Sequence, residues 1–385
     1  MNLGAWILGL WVGANGLLVA RGHASNPNDG QPSSTAVATS PFVRAEWIAP
    51  PDGAAAFEAW PLFRKEFVLD VRPRRATLRI VGLGDYDPRV NGRRLADTGI
   101  NQPWSQYEKT IYYRDFDITS WLEPGSNCVG VMLGSSFWHN PNPPAGRYNK
   151  DGPQRTAAEP WLLCAEILLE PAEGPTRAIG TDGSWRTAGG PVVFSHIFAG
   201  EDFDARRQLP GWDRPGFDDG DWRSARVTAA PSAGLARQDW PPFEIQERFA
   251  PESIGEPAPG VYLYSFPQNC SAQLRIELTG GKPGDRVALR AGEHKNAQDR
   301  LFGGYVVGCE LISDGRPLEH QWISFYLGMQ FVEVSGAVPE GRANPAGLPV
   351  IRAMELIHVR AALPEVGMFE SSSDLYNRTH RLIDW

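Results

Sequence analysis

The sequence has no stretch rich in lysine and arginine, and its 37 basic residues against 45 acidic ones leave a net charge of −8. Recognition of a phosphate backbone needs clustered positive charge, so no nucleic-acid partner is expected. Histidine is scarce at seven residues and cysteine at four, and no spacing gathers them as metal ligands would be gathered. No Gly-x-Ser-x-Gly elbow, Walker loop, dinucleotide-binding glycine fingerprint or His-Glu-x-x-His stretch occurs, which removes the usual support for several enzyme classes. Nor does an apolar run reach the ~20 residues that cross a bilayer. Ala5 to Ala20 comes nearest. It is followed by polar residues with Gly22 and Ala24 placed as the small residues of a cleavage site, and it reads as a secretory signal peptide over 1–24, although its first residues carry no Lys or Arg. A lipid-embedded anchor is the alternative. The expectation is a secreted or periplasmic protein that leaves the membrane after cleavage.

What the chain has in quantity is turn formers, 41 Gly and 33 Pro, scattered between short apolar runs. Period-two alternation recurs: Leu78 and Ile80 against Thr77 and Arg79, Val129, Val131 and Leu133 against Gly130 and Met132, Leu274, Ile276 and Leu278 against Arg275 and Glu277. Strands of this kind bury one side and wet the other, so a second sheet must cover the apolar side. Asn91-Gly92, Pro124-Gly125, Asp182-Gly183, Pro283-Gly284 and Asp314-Gly315 supply the turns between them. Cys128, Cys164, Cys270 and Cys309 lie in or beside the apolar runs and read as buried free thiols, though an oxidising compartment would permit pairing. At the far end Ser371, Ser372, Ser373 and Asp374 form a helix N-cap signal, with Leu375, Thr379, Leu382 and Ile383 on one side of the helix that follows.

A series of segments resembles the glycoside hydrolase family 78 α-L-rhamnosidases. They begin with Phe63-Arg64-Lys65-Glu66-Phe67, then Gly82-Leu83-Gly84-Asp85-Tyr86 with Val90-Asn91-Gly92, then Pro103-Trp104 with Tyr107. Thr181-Asp182-Gly183-Ser184-Trp185, Gly200 to Arg206, and Gly211-Trp212-Asp213 with Pro215 to Asp219 and Trp222 continue the order. Ser265-Phe266-Pro267 and Tyr326-Leu327-Gly328-Met329 depart from the family pattern, which marks a divergent member. The resemblance implies a mainly β fold, with two jelly-roll or β-sandwich domains in tandem ending in the first helix of an (α/α)6 barrel that the chain does not complete. The expected division is signal peptide 1–24, linker 25–43, first sandwich 44–235, linker 236–259, second sandwich 260–364 and barrel start 365–385. The resemblance also implies inverting hydrolysis of terminal α-L-rhamnosides by two opposed carboxyl groups in that barrel. No catalytic residue is therefore assigned here, and the chain is expected to be inactive alone.

Three local candidates remain. Some family members bind rhamnose on the first sandwich with calcium, and the resemblance points to Asn91, Trp104 and Asn127. An indole can cover the apolar side of a sugar and amide oxygens can ligate hydroxyls or Ca²⁺. Asn91 and Asn127 also sit where turn residues belong. Glu201, Asp202, Asp204, Asp213, Asp218, Asp219 and Asp221 crowd into a short span. They read first as a solvated loop paired with Arg206, Arg207, Arg214 and Arg223, with a calcium site or an acid/base pair as alternatives. His139 precedes an Asn140 to Pro144 loop that could reach a neighbouring site. No metal or cofactor is assigned, calcium being the open alternative, and the expected partners are rhamnose-containing glycans or glycosides. A stand-alone carbohydrate-binding protein and a purely structural β-sandwich are the rival readings.

Overall fold

The alternating runs become strands stacked in three sheets in the computed structural model, which describes residues 40–51, 60–139, 160–303, 306–323, 325–364 and 366–384. The expected signal peptide, nearly all of the 25–43 linker and the Asn140–Pro144 loop lie outside these residues. From Ser40 onward the chain forms one unit. The mainly β fold expected from the pattern is what is found. The α-helix Asp374–Asp384 follows, as the N-cap signal predicted. Its start is held by Asn377, which reaches back to accept from the Ser371 N–H at 2.8 Å and to donate to the Ser371 carbonyl at 2.9 Å.

Two antiparallel-rich sheets form the first sandwich. One runs Arg226–Thr228, Trp47–Ala49, Leu162–Glu170, Arg75–Leu83, Thr110–Asp117, Gly234–Arg237, with Arg177–Gly180 on the side of Leu162–Glu170. The other runs Arg223–Ser224, Arg186–Gly189, Pro61–Leu69, Gly125–Leu133, Tyr86–Val90, Arg93–Arg94. Leu78, Ile80 and Ile167 from the first and Phe63, Val129 and Val131 from the second belong to one buried core. The chain is anchored to it before the strands begin. The Val43 and Arg44 N–H groups donate to the buried Glu166 carboxylate, which would otherwise be an uncompensated charge in the core.

The strand pattern fails in one place. Gly130 and Met132 were expected to face water, yet the whole of Cys128 to Leu133 is buried. The segment from Ala205 to Trp222 lies over the outer side of this sheet, and a Cβ on Gly130 would come within 2.7 Å of the Trp212 ring. Glycine at 130 is what lets the indole approach so closely.

The third sheet has eleven strands, ordered Val192–His196, Gly200–Asp204, Val307–Asp314, Pro283–Gly292, Leu327–Ser335, Val261–Thr279, Val350–Ala361, Phe243–Phe249, with three short strands at its sides. Val261–Thr279 is too long to stay flat. Its register shifts between Ser265 and Cys270, around Pro267, where the ring removes a ladder donor. Two features differ from the expected division. Val192–His196 and Gly200–Asp204, read as part of the first sandwich, pair into this third sheet through Val307–Asp314. Residues 236–259, expected as a linker from their Pro and Ala content, carry Phe243–Phe249 and Ser253–Ala258, which hydrogen-bond to Val350–Ala361 and Val261–Thr279. Phe249 and Ile254 anchor these strands by packing against the core. Among the described residues no helix is long and apolar enough to cross a membrane.

Candidate functional site

Asn91 and Gly92 both adopt left-handed backbone, φ 50° and 82°, and join Tyr86–Val90 to Arg93–Arg94 as the Asn-Gly pattern requires. The Asn91 amide is fully used: its nitrogen donates to the Trp121 carbonyl at 2.8 Å and to Asn127 Oδ1 at 2.9 Å, and its oxygen accepts from the Cys128 N–H at 2.8 Å. Asn127 is completely buried. Its oxygen accepts from the Glu123 N–H at 3.0 Å, and its nitrogen donates to the Glu123 and Gly125 carbonyls at 2.6 and 3.0 Å. The two asparagines thus meet, but as a lock between a hairpin and the start of the next strand.

Trp104 is placed elsewhere. It follows Pro103 in the loop before Thr110–Asp117 and is 73% exposed, the most exposed aromatic ring among the described residues of the sandwich. One side of the indole stacks on Phe137, with ring centroids 4.6 Å apart and planes within 7°. Tyr107 is buried beneath, edge-on to Trp138 at 5.6 Å. Ser105 Oγ donates to the Thr110 carbonyl at 2.7 Å and ties the loop to its strand. Trp104, Ser105, Gln106, Tyr107, Glu108 and Phe137 line an open recess of about 480 Å³. A flat indole held rigid by a second ring, with hydroxyl, amide and carboxylate groups beside it, can take the apolar side of a ring bearing hydroxyls. Phe137 was not foreseen as part of it. The signal was the Phe137-Trp138 pair, shortly beyond the end of the Gly125–Leu133 strand, where two large rings must find cover.

The acidic run divides between two surfaces. Glu201 is buried in the third sheet, 2.9 Å from His320 Nε2, and accepts from the Ile323 N–H at 3.2 Å. Asp202 accepts from the Glu310 N–H at 2.8 Å. The Arg206 guanidinium, bonded to Asp204 through two nitrogens at 2.8 Å each, holds that carboxyl below its ordinary range. Asp213 faces Arg89 at 3.3 Å, Asp218 accepts from the Gly220 N–H in an Asx turn, Asp219 pairs with Arg64, and Asp221 lies at the surface. Among the described residues no group of three or more His, Cys, Asp or Glu is arranged to hold a metal ion. His139 is buried, its ring 4.3 Å from that of Trp161. The four cysteines are buried; burial pushes the thiols of Cys128 up to about 11 and of Cys164 and Cys270 up to about 12.

A β-sandwich with an exposed aromatic shelf beside a large third sheet defines a fold class, and the comparisons make that class specific. Residues 71–247 match the α-L-rhamnosidase N-terminal domain. An α-L-rhamnosidase of Streptomyces avermitilis is 28% identical over 354 residues, 89% of this chain and 33% of that protein. One from Formosa agariphila is 27% identical over 351 residues, 87% of this chain and 35% of its own length. The structure of α-L-rhamnosidase from Dictyoglumus thermophilum superposes with a TM-score of 0.74 at 27% identity, over 89% of this chain and 38% of that one. The Streptomyces avermitilis α-L-rhamnosidase complexed with L-rhamnose gives 0.73 at 26% identity, over 85% of this chain and 31% of that one. The chain is related to the N-terminal portion of the α-L-rhamnosidases, as its motifs implied, and it spans about a third of the length of the curated relatives it matches.

Proposed function

We propose that this chain is the accessory β-sandwich portion of a secreted α-L-rhamnosidase, one that in its full form hydrolyses terminal α-L-rhamnosides with inversion. In this reading the first sandwich contributes carbohydrate binding through Trp104, and bond cleavage belongs to acid and base groups outside the residues described here. The single observation that carries it is the likeness, along 85–89% of the chain, to one limited portion of enzymes that bear this name. The partnering of the acidic run supports the second half. Inversion needs an acid and a base about 6.5–9.5 Å apart across an open cleft with room for water. Here Glu201 is buried against His320, and Asp204, Asp213 and Asp219 face arginines.

The test uses the purified 385-residue chain in two assays. Incubation with 4-nitrophenyl α-L-rhamnoside is expected to release no nitrophenol above the uncatalysed rate; turnover lost on Asp204→Asn or Asp219→Asn would move the active site into this chain. Calorimetric titration with L-rhamnose is expected to show weak binding, in the millimolar range typical of a single stacked sugar worth about 4 kcal/mol. Trp104→Ala should remove that heat without changing thermal stability, since the indole is exposed. Rhamnose binding that survives the substitution would place the sugar elsewhere.

A further inference from the structure

Phe137 also lines a second pocket, of about 300 Å³, with different chemistry. Asp85, Ile100, Gln102, Ser136 and Phe137 come from the first sandwich. Ile197 and Phe198 come from the turn after Val192–His196, and Phe325 to Gly328 from the approach to Leu327–Ser335. The walls are mostly aromatic and aliphatic. Among the described residues no Lys, Arg or His lines it.

Its polar groups are what require explanation. Asp85 is 3% exposed and Gln102 4% exposed, yet Asp85 Oδ1 and both polar atoms of the Gln102 carboxamide have no hydrogen-bond partner. Leaving such groups buried and unpaired costs about 1–3 kcal/mol each. The loop that carries Gln102 is fixed by Asn101, which donates to the Tyr86 and Thr98 carbonyls at 2.8 and 2.9 Å, so Gln102 is held in place rather than free to turn to water. Burial drives the Asp85 carboxyl well above its usual range, towards the neutral acid that can donate as well as accept. Two hydrogen-bonding side chains thus line an apolar space whose described walls hold no cation to meet an anion.

We propose that this pocket binds an uncharged aromatic ring carrying a hydroxyl group, with the hydroxyl between Asp85 and Gln102 and the ring among Phe137, Phe198 and Phe325. A cavity of about 150 Å³ already accepts benzene in other proteins, so this volume admits one substituted ring or two fused ones. A pyranose is the poorer fit. Its several hydroxyls would meet, among the lining side chains, Asp85, Gln102, Tyr326 and a Ser136 Oγ already accepting from the Trp138 N–H at 3.2 Å, and those turned to the apolar walls would be buried unsatisfied. The pocket's argument is independent of the sugar reading of Trp104.

The experiment is calorimetric titration of the intact chain with phenol, resorcinol, toluene, benzoate and L-rhamnose, on the wild type and on Asp85→Leu and Gln102→Leu. Phenol and resorcinol are expected to bind at least tenfold more tightly than toluene or benzoate. Each substitution should weaken phenol binding about tenfold, the loss of one buried hydrogen bond of about 1.4 kcal/mol. Gln102→Leu removes a buried carboxamide with no partner, so its thermal stability should hold or rise, which separates lost binding from lost folding; Asp85→Leu also loses the bond that the carboxyl accepts from the Gln102 backbone N–H. No heat with any phenol up to 20 mM overturns the proposal. So does phenol affinity that both variants keep, or L-rhamnose binding that both variants lose.

Discussion

Replacing Arg64 by methionine tests whether the acidic segment is a structural layer. Arg64 stands on Pro61–Leu69 with its side chain only 1% exposed, under the Ala205–Trp222 segment. Its Nε donates to the Trp212 carbonyl at 2.8 Å, and Nη2 donates to the Arg214 carbonyl at 3.1 Å and to Glu66 at 3.3 Å. Nη1 pairs with Asp219, and the guanidinium lies 5.5 Å from the centre of the Phe217 ring. Methionine keeps most of the aliphatic stem, so the cavity left behind is small. Glu66 and Asp219, 34% and 27% exposed, recover water and lose little. The Trp212 carbonyl, held in a buried bond, does not: a stranded buried acceptor costs about 1–3 kcal/mol, and with the part-buried bond to the Arg214 carbonyl also lost the expected loss is about 3 kcal/mol. That agrees with the 3–5 kcal/mol typical of breaking a buried charged pair from one side. Urea unfolding followed by tryptophan fluorescence measures it, with an unchanged slope showing that the same surface unfolds. Lysine at 64 keeps the charge but not the planar fork, and should recover less than half. A loss under about 1 kcal/mol in the methionine variant, with 211–222 still protected from proteolysis, would refute the view that this side chain fastens the segment.

The asparagine lock predicts that Asn127→Ala costs about 2 kcal/mol, as a buried residue whose amide serves both Glu123 and Asn91 is lost, while L-rhamnose affinity stays within twofold of wild type. A sugar defect without a stability defect in that variant would return Asn127 to the binding site. His196 predicts a pH effect, since burial holds its imidazole down at about 4 against the ordinary 6.5 while its Nδ1 accepts from the Phe198 N–H at 3.0 Å. Below 6.5 the unfolded chain takes up a proton that the folded chain refuses, so stability falls on acidification until both states are protonated near 4. Between pH 7 and 5 the loss should be about 2 kcal/mol in urea midpoints, and His196→Gln should flatten it. Equal losses in both proteins would show that His196 is already charged when folded.

The strands were legible because apolar alternation is a local consequence of burying one side of a sheet, and Leu78-Arg79-Ile80 or Val287-Ala288-Leu289 needs no distant information. The hairpin at Asn91-Gly92 was legible for the same reason, since left-handed backbone at two successive residues is written in their side chains. What the pattern could not show was partnership at long range. Val192–His196 and Gly200–Asp204 carry nothing to say that they leave the first sandwich for Val307–Asp314, because a strand's pairing edge is backbone and has no sequence. The Pro and Ala content of 236–259 likewise concealed edge strands, where proline is tolerated on a side that donates no ladder bond.

The site was half legible, for a related reason. A tryptophan after a proline in a polar loop can be read as exposed, and Trp104 is; what fixes its plane is Phe137, 33 positions later in the chain. The acidic run misled in the opposite direction. Seven carboxylates close in sequence suggest a common site, yet a strand ends at Asp204 and the next residues cross to another sheet, so Glu201 and Asp219 are neighbours only on paper. Arg64 and His320, the groups that give those acids their role, lie more than a hundred residues away from them. Sequence proximity of like charges is therefore a poor guide to a site in a β fold, where consecutive strands send neighbours to opposite surfaces. The informative residue is instead the isolated polar one in an apolar segment. Asp85, set between Leu83-Gly84 and Tyr86, is of that kind, and the fold leaves its carboxyl oxygen Oδ1 buried without a partner. A protein keeps such a residue against its stability cost when something other than the fold depends on it.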